Sequence, residues 1–492
     1  MKNLENLFKN ISLFLFLALL VSSCSRNPVT GKREIVLMSE AQEISMGKEA
    51  DPQIVAGYGL YQDEKIQKFI NTKGQEMAKI SHRPHLDYEF KVLDSPVVNA
   101  FAVPGGYVYF TRGILAHFNN EAEFAGVLGH EIGHVTARHS VQQQTKAMLG
   151  QVAFIGGIML SEKFRAFANE ANTGMQLLFL KFGRGAESQS DELGVEYSTE
   201  IGYDSHNMAN FFGTLKKLQV ESGQSIPTFM STHPDPGNRF ERVHELSDEI
   251  QEGKNKENLK TNRDSYLKLI DGLIVGEDPK QGYVEGGTFY HPELLFSFEV
   301  PANWRLNNTP SAIQMAPEDG KGLLTMVLSQ EASLDATKQK LITDNKLTVQ
   351  ESTNTKINGN NAITMISDQM TEGQNGETGT IRILTSIIQY GNMIYIFHGM
   401  AEPTDFNRYF SGFNKTMKSF AKLTDQSKIN KQADMIKIET VPNNGTFQQV
   451  MTKLGMDSEQ MTLLSTLNGM DLDTQLKAGT LIKTIAKKPL TP

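Results

Sequence analysis

The residues best placed to do chemistry are His130, Glu131 and His134, in the stretch His130-Glu131-Ile132-Gly133-His134. On a helix, positions four apart share a face, so the two imidazoles can bind one metal ion. Glu131 follows the first of them directly. Its carboxylate then sits where a general base must reach an attacking water, the H-E-x-x-H logic of zinc hydrolysis. The flanks read as helix. Asn119-Asn120-Glu121 supplies a cap and an acidic first turn, and Phe124, Val127, Leu128, Ile132 and Val135 recur at helical spacing.

Catalytic zinc needs a third protein ligand and one open position. A glycine at 137 and a histidine at 140 would supply it in one zinc-binding pattern, but those positions hold Ala137 and Ser140. His139 lies nine residues beyond His130, half a turn round an unbroken helix, and is expected to point away from the metal as a structural or supporting histidine. A distant carboxylate is the remaining kind of ligand. Arg184–Val195 contains Glu187 and Asp191, four apart and so on one helical face. Glu187 can bind zinc while Asp191 accepts a proton from a ligating histidine and sets its tautomer.

His130–His134, Glu187-x-x-x-Asp191, then Ser231-Thr232-His233-Pro234 with Arg239 follow the order found in gluzincin endopeptidases of the HtpX and CAAX-prenyl-protease type. The segment Asn99-Ala100-Phe101-Ala102-Val103-Pro104-Gly105-Gly106 also resembles that family. The likeness covers about residues 26–250 and is nearest to bacterial periplasmic, BepA-like metalloproteases. It differs in having Gln189-Ser190 where the family often has Glu-Ala. The resemblance implies one zinc ion per chain, held by His130, His134 and Glu187, with Glu131 as base. It also implies that Asn99, Ala100, Phe101 and Ala102 form a strand edge binding extended substrate through main-chain hydrogen bonds. His233, before Pro234, is expected on an extended or turn segment. It could stabilise the oxyanion or occupy the open zinc position at rest. Arg239 could pair with Asp191 or another buried acid, or orient substrate.

Lys2 and Lys9, apolar Ile11–Val21 and Ser22-Ser23-Cys24 read as a secretory signal ending in a lipobox-like site. Cys24 is the only cysteine, which excludes an internal disulfide in the monomer and fits a lipid attachment point. That places the chain outside the cytoplasm on a bacterial membrane, the outer membrane being favoured. Net charge of −8 argues against a nucleic-acid partner. Unfolded or envelope proteins are the expected substrates. The rival reading is a chaperone or cell-wall-binding lipoprotein with a vestigial zinc site.

The chain reads as a multidomain α+β protein. A signal (1–23) and tether (24–34) precede a mainly helical zincin domain (35–252) carrying a small β-hairpin or sheet. Ser39 and Gln42 are expected to box the first helix. A linker (253–286) leads to an α/β accessory domain (287–422), with no cluster of metal ligands and with His291 and His398 structural. Last comes a βααβ LysM-like module (434–486), with peptidoglycan or envelope proteins as partners. Apolar Ala147–Leu160 reads as core, a flap over the cleft, or a membrane-surface element.

Overall fold

The computed structural model describes residues 24–145, 182–221, 228–234, 238–254, 258–372 and 378–487. The expected signal and the segment Ala147–Leu160 lie outside them. Among the described residues no helix is long and apolar enough to cross a membrane.

The stretch read as a tether is a hairpin, Cys24–Arg26 pairing with Arg33–Ile35. Buried Asn27 closes its turn by accepting from Val29 N and Thr30 N, and donates to Ala137 O at 3.2 Å. The hairpin is thereby tied to the end of the H-E-x-x-H helix. Helix Glu40–Tyr58 begins with the capping box anticipated from Ser39 and Gln42. Helix Glu64–Ile80 is capped by Asp63. A three-stranded sheet follows, with Tyr107–Thr111 in the centre, parallel to Glu89–Leu93 and antiparallel to Ala100–Val103. The turn between its last two strands needs glycine twice: Gly105 and Gly106 hold φ of 86° and 102°.

The segment read as a linker is not one. Helix Arg263–Leu269 and strand Ile274–Val275 place Tyr266, Leu267, Ile270 and Ile274 in the same hydrophobic core as Phe110, Phe118 and Phe124. The polar run at 251–262 ends sooner than composition suggests, and the apolar residues after it are what bury. Tyr266 donates to Leu115 O at 2.7 Å, and Arg112 donates to Ile274 O and Gly276 O.

The C-terminal unit has the order strand (Asp434–Thr440), helix (Phe447–Lys453), helix (Met461–Asn468), strand (Leu481–Lys487). Its two outer strands pair with each other, and the first also pairs with Ile274–Val275. Ile436, Phe447, Leu464, Leu467 and Ile482 belong to the core just named, so this unit has no separate interior. Lys483, fully buried, donates to Ala116 O, Phe118 O and Leu467 O at 2.8, 2.7 and 2.6 Å. Its cation closes the carbonyl end of helix Arg112–His117, the end a positive charge stabilises. Burial nevertheless pulls its pKa below the ordinary lysine value.

Between these parts, residues 287–422 build a seven-stranded antiparallel sheet. Its order runs 305–308, 312–316, 322–328, 393–401, 378–390, 360–372, 348–357. Helix Pro403–Ser419 covers one face with Phe406, Tyr409 and Phe413. At Gly399 the helix comes so close that an added Cβ would lie 2.4 Å from the Phe413 ring.

Candidate metal centre

Every residue from Ala122 to Thr136 is buried in helix Glu121–Thr136, whose N-cap Asn120 accepts from Glu123 N. The partner helix, Arg184–Glu200, lies unusually close. A Cβ at Gly129 would sit 3.0 Å from Gly194 Cα, and one at Gly194 would sit 2.9 Å from Gly126 O. Small residues at the crossing let the two backbones approach, which brings a carboxylate on one helix to histidines on the other. Arg138 fixes the far end of the histidine helix. It adopts φ of 59° and donates to buried Glu43, which also pairs with buried Arg83 at 2.7 Å.

His130 Nε2 and His134 Nε2 lie 3.0 Å apart. Glu187 places Oε2 3.5 Å from the first and Oε1 3.5 Å from the second. His233 joins them: its Nδ1 is 3.3 Å from His130 Nε2 and 3.2 Å from Glu187 Oε1. Bonds of roughly 2.0–2.2 Å in a tetrahedron separate neighbouring donors by about 3.3–3.6 Å, so these four groups have the spacing of a zinc cage.

The tautomers test that fit. Asp191 Oδ1 lies 3.0 Å from His130 Nδ1, so that nitrogen carries the proton and Nε2 presents a lone pair. Gln189 Oε1 lies 2.9 Å from His139 Nε2. An amide oxygen only accepts, so His139 is protonated at Nε2 and its Nδ1 accepts. His134 Nδ1, 3.0 Å from that nitrogen and nearer than the other available donor, Ser190 Oγ at 3.2 Å, is then placed to donate, which leaves His134 Nε2 as a second lone pair. Two lone pairs 3.0 Å apart, facing a carboxylate, repel unless a metal ion or a proton stands between them. The donor set, two or three imidazoles and one carboxylate, suits zinc.

Asp191 is held by Arg239, whose Nη2 donates to Oδ1 at 2.6 Å and whose Nε reaches Oδ2 at 2.9 Å. Of the pairings open to Arg239, the structure has the one with Asp191 and also one with a second buried acid, Nη2 lying 3.5 Å from Glu187 Oε2. The guanidinium also lies 4.0 Å over the Phe212 ring. Burial pushes the Asp191 pKa up, but Arg239 and His130 outweigh it and keep it below its ordinary value. Glu131 is fully buried and neither carboxylate oxygen has a partner among the described residues. Burial raises its pKa. His233 Nε2, also without a hydrogen-bond partner among the described residues, is 3.6 Å from Glu131 Oε1. Of the extended or turn placements, the structure has the second: His233 sits at a bend directly after helix Thr228–Thr232 and donates its N–H to Phe229 O. The Phe229 ring stacks against its imidazole at 4.6 Å.

Asn99 and strand Ala100–Val103 lie at one edge of the small sheet, the strand bonded only to Tyr107–Thr111 among the described strands. Cys24 begins the first strand of the N-terminal hairpin. His139 is a supporting histidine, as expected, but its direction departs from expectation. The histidine helix ends at Thr136 and Arg138 turns the chain left-handed, so His139 swings back onto His134 instead of pointing away. Phe182, stacked at 4.1 Å on the His134 ring, had no signal in the spacing of residues. Gln189→Leu removes the acceptor that sets this proton order and is expected to weaken zinc affinity by about 10–100-fold, while Gln189→Glu retains it. Competition against a zinc chelator of known affinity reads the difference, and equal affinity in both variants would contradict the relay.

Comparison with known proteins agrees with this geometry. Residues 64–247 match the model of peptidase family M48. The chain is 29% identical over 234 residues to the beta-barrel assembly-enhancing protease of Yersinia pestis, covering 46% of this chain and 48% of that protein. It is 28% identical over 213 residues to the protein of the same name from Escherichia coli K12, covering 41% and 43%. It is 33% identical over 174 residues to the mitochondrial metalloendopeptidase OMA1 of Arabidopsis thaliana, covering 35% and 34%. The chain thus spans between a third and a half of these relatives' lengths.

Proposed function

We propose that this protein is a zinc-dependent endopeptidase that hydrolyses unfolded or envelope proteins outside the cytoplasm, anchored through a lipid on Cys24. The observation that carries the reading is the convergence of His130 Nε2, His134 Nε2 and Glu187, with neighbouring atoms 3.0–3.5 Å apart, beside a buried Glu131 with no partner. His130, His134 and Glu187 hold the ion. When bound, zinc supplies Lewis acidity to the scissile carbonyl and to the attacking water. Glu131 takes the proton from that water and delivers it to the leaving amine nitrogen. Asp191 holds the His130 proton at Nδ1, and Arg239 keeps Asp191 charged and in place.

His233 is placed by its Nδ1 among the other donors, which favours the resting, blocking role over oxyanion stabilisation. Substrate lies along the free edge of Ala100–Val103, paired through its main chain. Asn99 Oδ1, buried and without a partner among the described residues, offers an acceptor beside that edge. Recognition of backbone rather than side chains suits varied, unfolded substrates. The C-terminal unit is read as a LysM-like module serving envelope partners. Its Asn444 and Thr446 are already engaged, with Ala478 N and Gln449 N, so protein partners are favoured over glycan.

The test is casein hydrolysis by the full-length protein. Zinc-loaded protein should cleave, chelation should stop cleavage, and added zinc should restore it. His233→Ala should be at least as active as wild type. Cleavage that persists without metal, or none from zinc-loaded wild type and His233→Ala alike, would overturn the reading in favour of a binding protein.

A further inference from the structure

A second group of metal-binding side chains lies apart from the buried centre and shares no residue with it. His206 opens helix His206–Glu221, and His244 and Asp248 stand one turn apart on helix Arg239–Ile250. His206 Nε2 is 3.1 Å from Asp248 Oδ1, and His244 Nδ1 is 3.5 Å from Asp248 Oδ2. One donor atom from each of the three fits within a sphere of contacts no wider than 4.8 Å. The two imidazole rings meet edge to face, 4.7 Å between centroids.

The orientation of His206 gives the group its chemistry. Asp204 Oδ1 lies 2.7 Å from His206 Nδ1 and also accepts the His206 main-chain N–H. It accepts as well from Gln251 Nε2 at 3.4 Å, so it is held from a second element. A carboxylate fixed on Nδ1 puts the proton there and aims the Nε2 lone pair outward, the arrangement that supports metal-bound histidines. That lone pair then faces a second carboxylate at hydrogen-bond distance. Either the imidazole is protonated or a cation joins the two. His244 Nδ1, directed at the other oxygen of the same carboxylate, favours a cation.

We propose that His206, His244 and Asp248 form a second, solvent-accessible site for a borderline divalent cation, zinc being the best match. Two imidazoles and one carboxylate select zinc-like ions over magnesium or calcium, which prefer all-oxygen surroundings. His244 and Asp248 are half exposed, so water completes the coordination and the ion exchanges readily. Its structural effect is a cross-link from the start of one helix to the last two turns of another. That second helix begins at Arg239, the residue that grips Asp191, so the outer ion stiffens a support of the buried centre without touching it.

The experiment is a zinc titration of the full-length protein, followed by calorimetry and by thermal melting, starting from protein already holding one tightly bound zinc. Wild type should take up a second equivalent, and its Tm should rise with added zinc. His244→Ala should keep the first equivalent and weaken the second by at least about tenfold. His206→Gln, at a less exposed position, should do the same, and magnesium should not compete. No uptake by wild type beyond the zinc it already holds would overturn the proposal and leave a plain imidazolium–carboxylate cluster. Equal uptake of the second equivalent by wild type and His244→Ala would overturn it as well.

Discussion

Glu131→Gln is expected to cut casein hydrolysis by on the order of 10²–10⁴-fold while zinc content stays at the wild-type level. The amide has the same shape as the carboxylate but cannot take a proton from water. No described residue hydrogen-bonds to either Glu131 oxygen, so the one contact that changes with the charge is that with His233 Nε2 at 3.6 Å. The variant should also report on electrostatics. In metal-free protein, burial raises the folded pKa of Glu131 above its unfolded value. A raised carboxylate contributes stability below the unfolded pKa, and that contribution is lost as pH rises through the folded pKa. At neutral pH the wild type therefore carries the cost of a buried anion that glutamine lacks. Metal-free Glu131→Gln should melt at or above the wild-type Tm near pH 7, and this advantage should vanish below about pH 4. Retained hydrolysis would remove Glu131 from the role of base.

Glu187→Ala should have its largest effect on the metal. Replacing a group that merely orients a ligand typically costs about 10–100-fold in affinity, so loss of a ligand should exceed about 100-fold. The geometry explains why. Among the described residues Glu187 is the only anion that meets both His130 Nε2 and His134 Nε2, at 3.5 Å each, and it also meets His233 Nδ1. Without it two imidazole lone pairs remain 3.0 Å apart around a dication with no charge to balance it. Alanine is a good helix former, so helix Arg184–Glu200 should persist and the loss should be local.

What the chain declares by itself is set by the range of each signal. His130 with His134, and Glu187 with Asp191, are four apart on helices, and that period alone fixes which side chains share a face. The hairpin around Pro104-Gly105-Gly106 was equally plain, because only glycine accepts the φ values of that turn. The supporting place of His139 beside His134 agrees with the sequence, but its direction does not, because the helical period ends at Thr136 and Arg138 turns the chain. Phe182 and the close pass of Gly129 by Gly194 are tertiary facts, carried by no local spacing.

The accessory sheet shows the same limit. Segments 323–328, 380–389 and 393–400 have strand character in their composition, the last buried on both faces and the first alternating buried with half-buried positions. Thr348–Ile357 was not legible, because it is an edge strand exposed along nearly its whole length and so keeps no apolar alternation. The C-terminal unit displayed its own pattern of strands and helices. That its core is continuous with residues more than three hundred positions earlier rests on contacts such as Lys483 with Ala116, which no short window contains.

The most direct test of the central claim is tightly bound zinc per chain in wild type, Glu131→Gln and Glu187→Ala, measured after dialysis against a competing chelator strong enough to clear surface sites. The account predicts one zinc in wild type, one in Glu131→Gln, and essentially none in Glu187→Ala. Full zinc occupancy in Glu187→Ala, or no tightly held zinc in wild type, would contradict it.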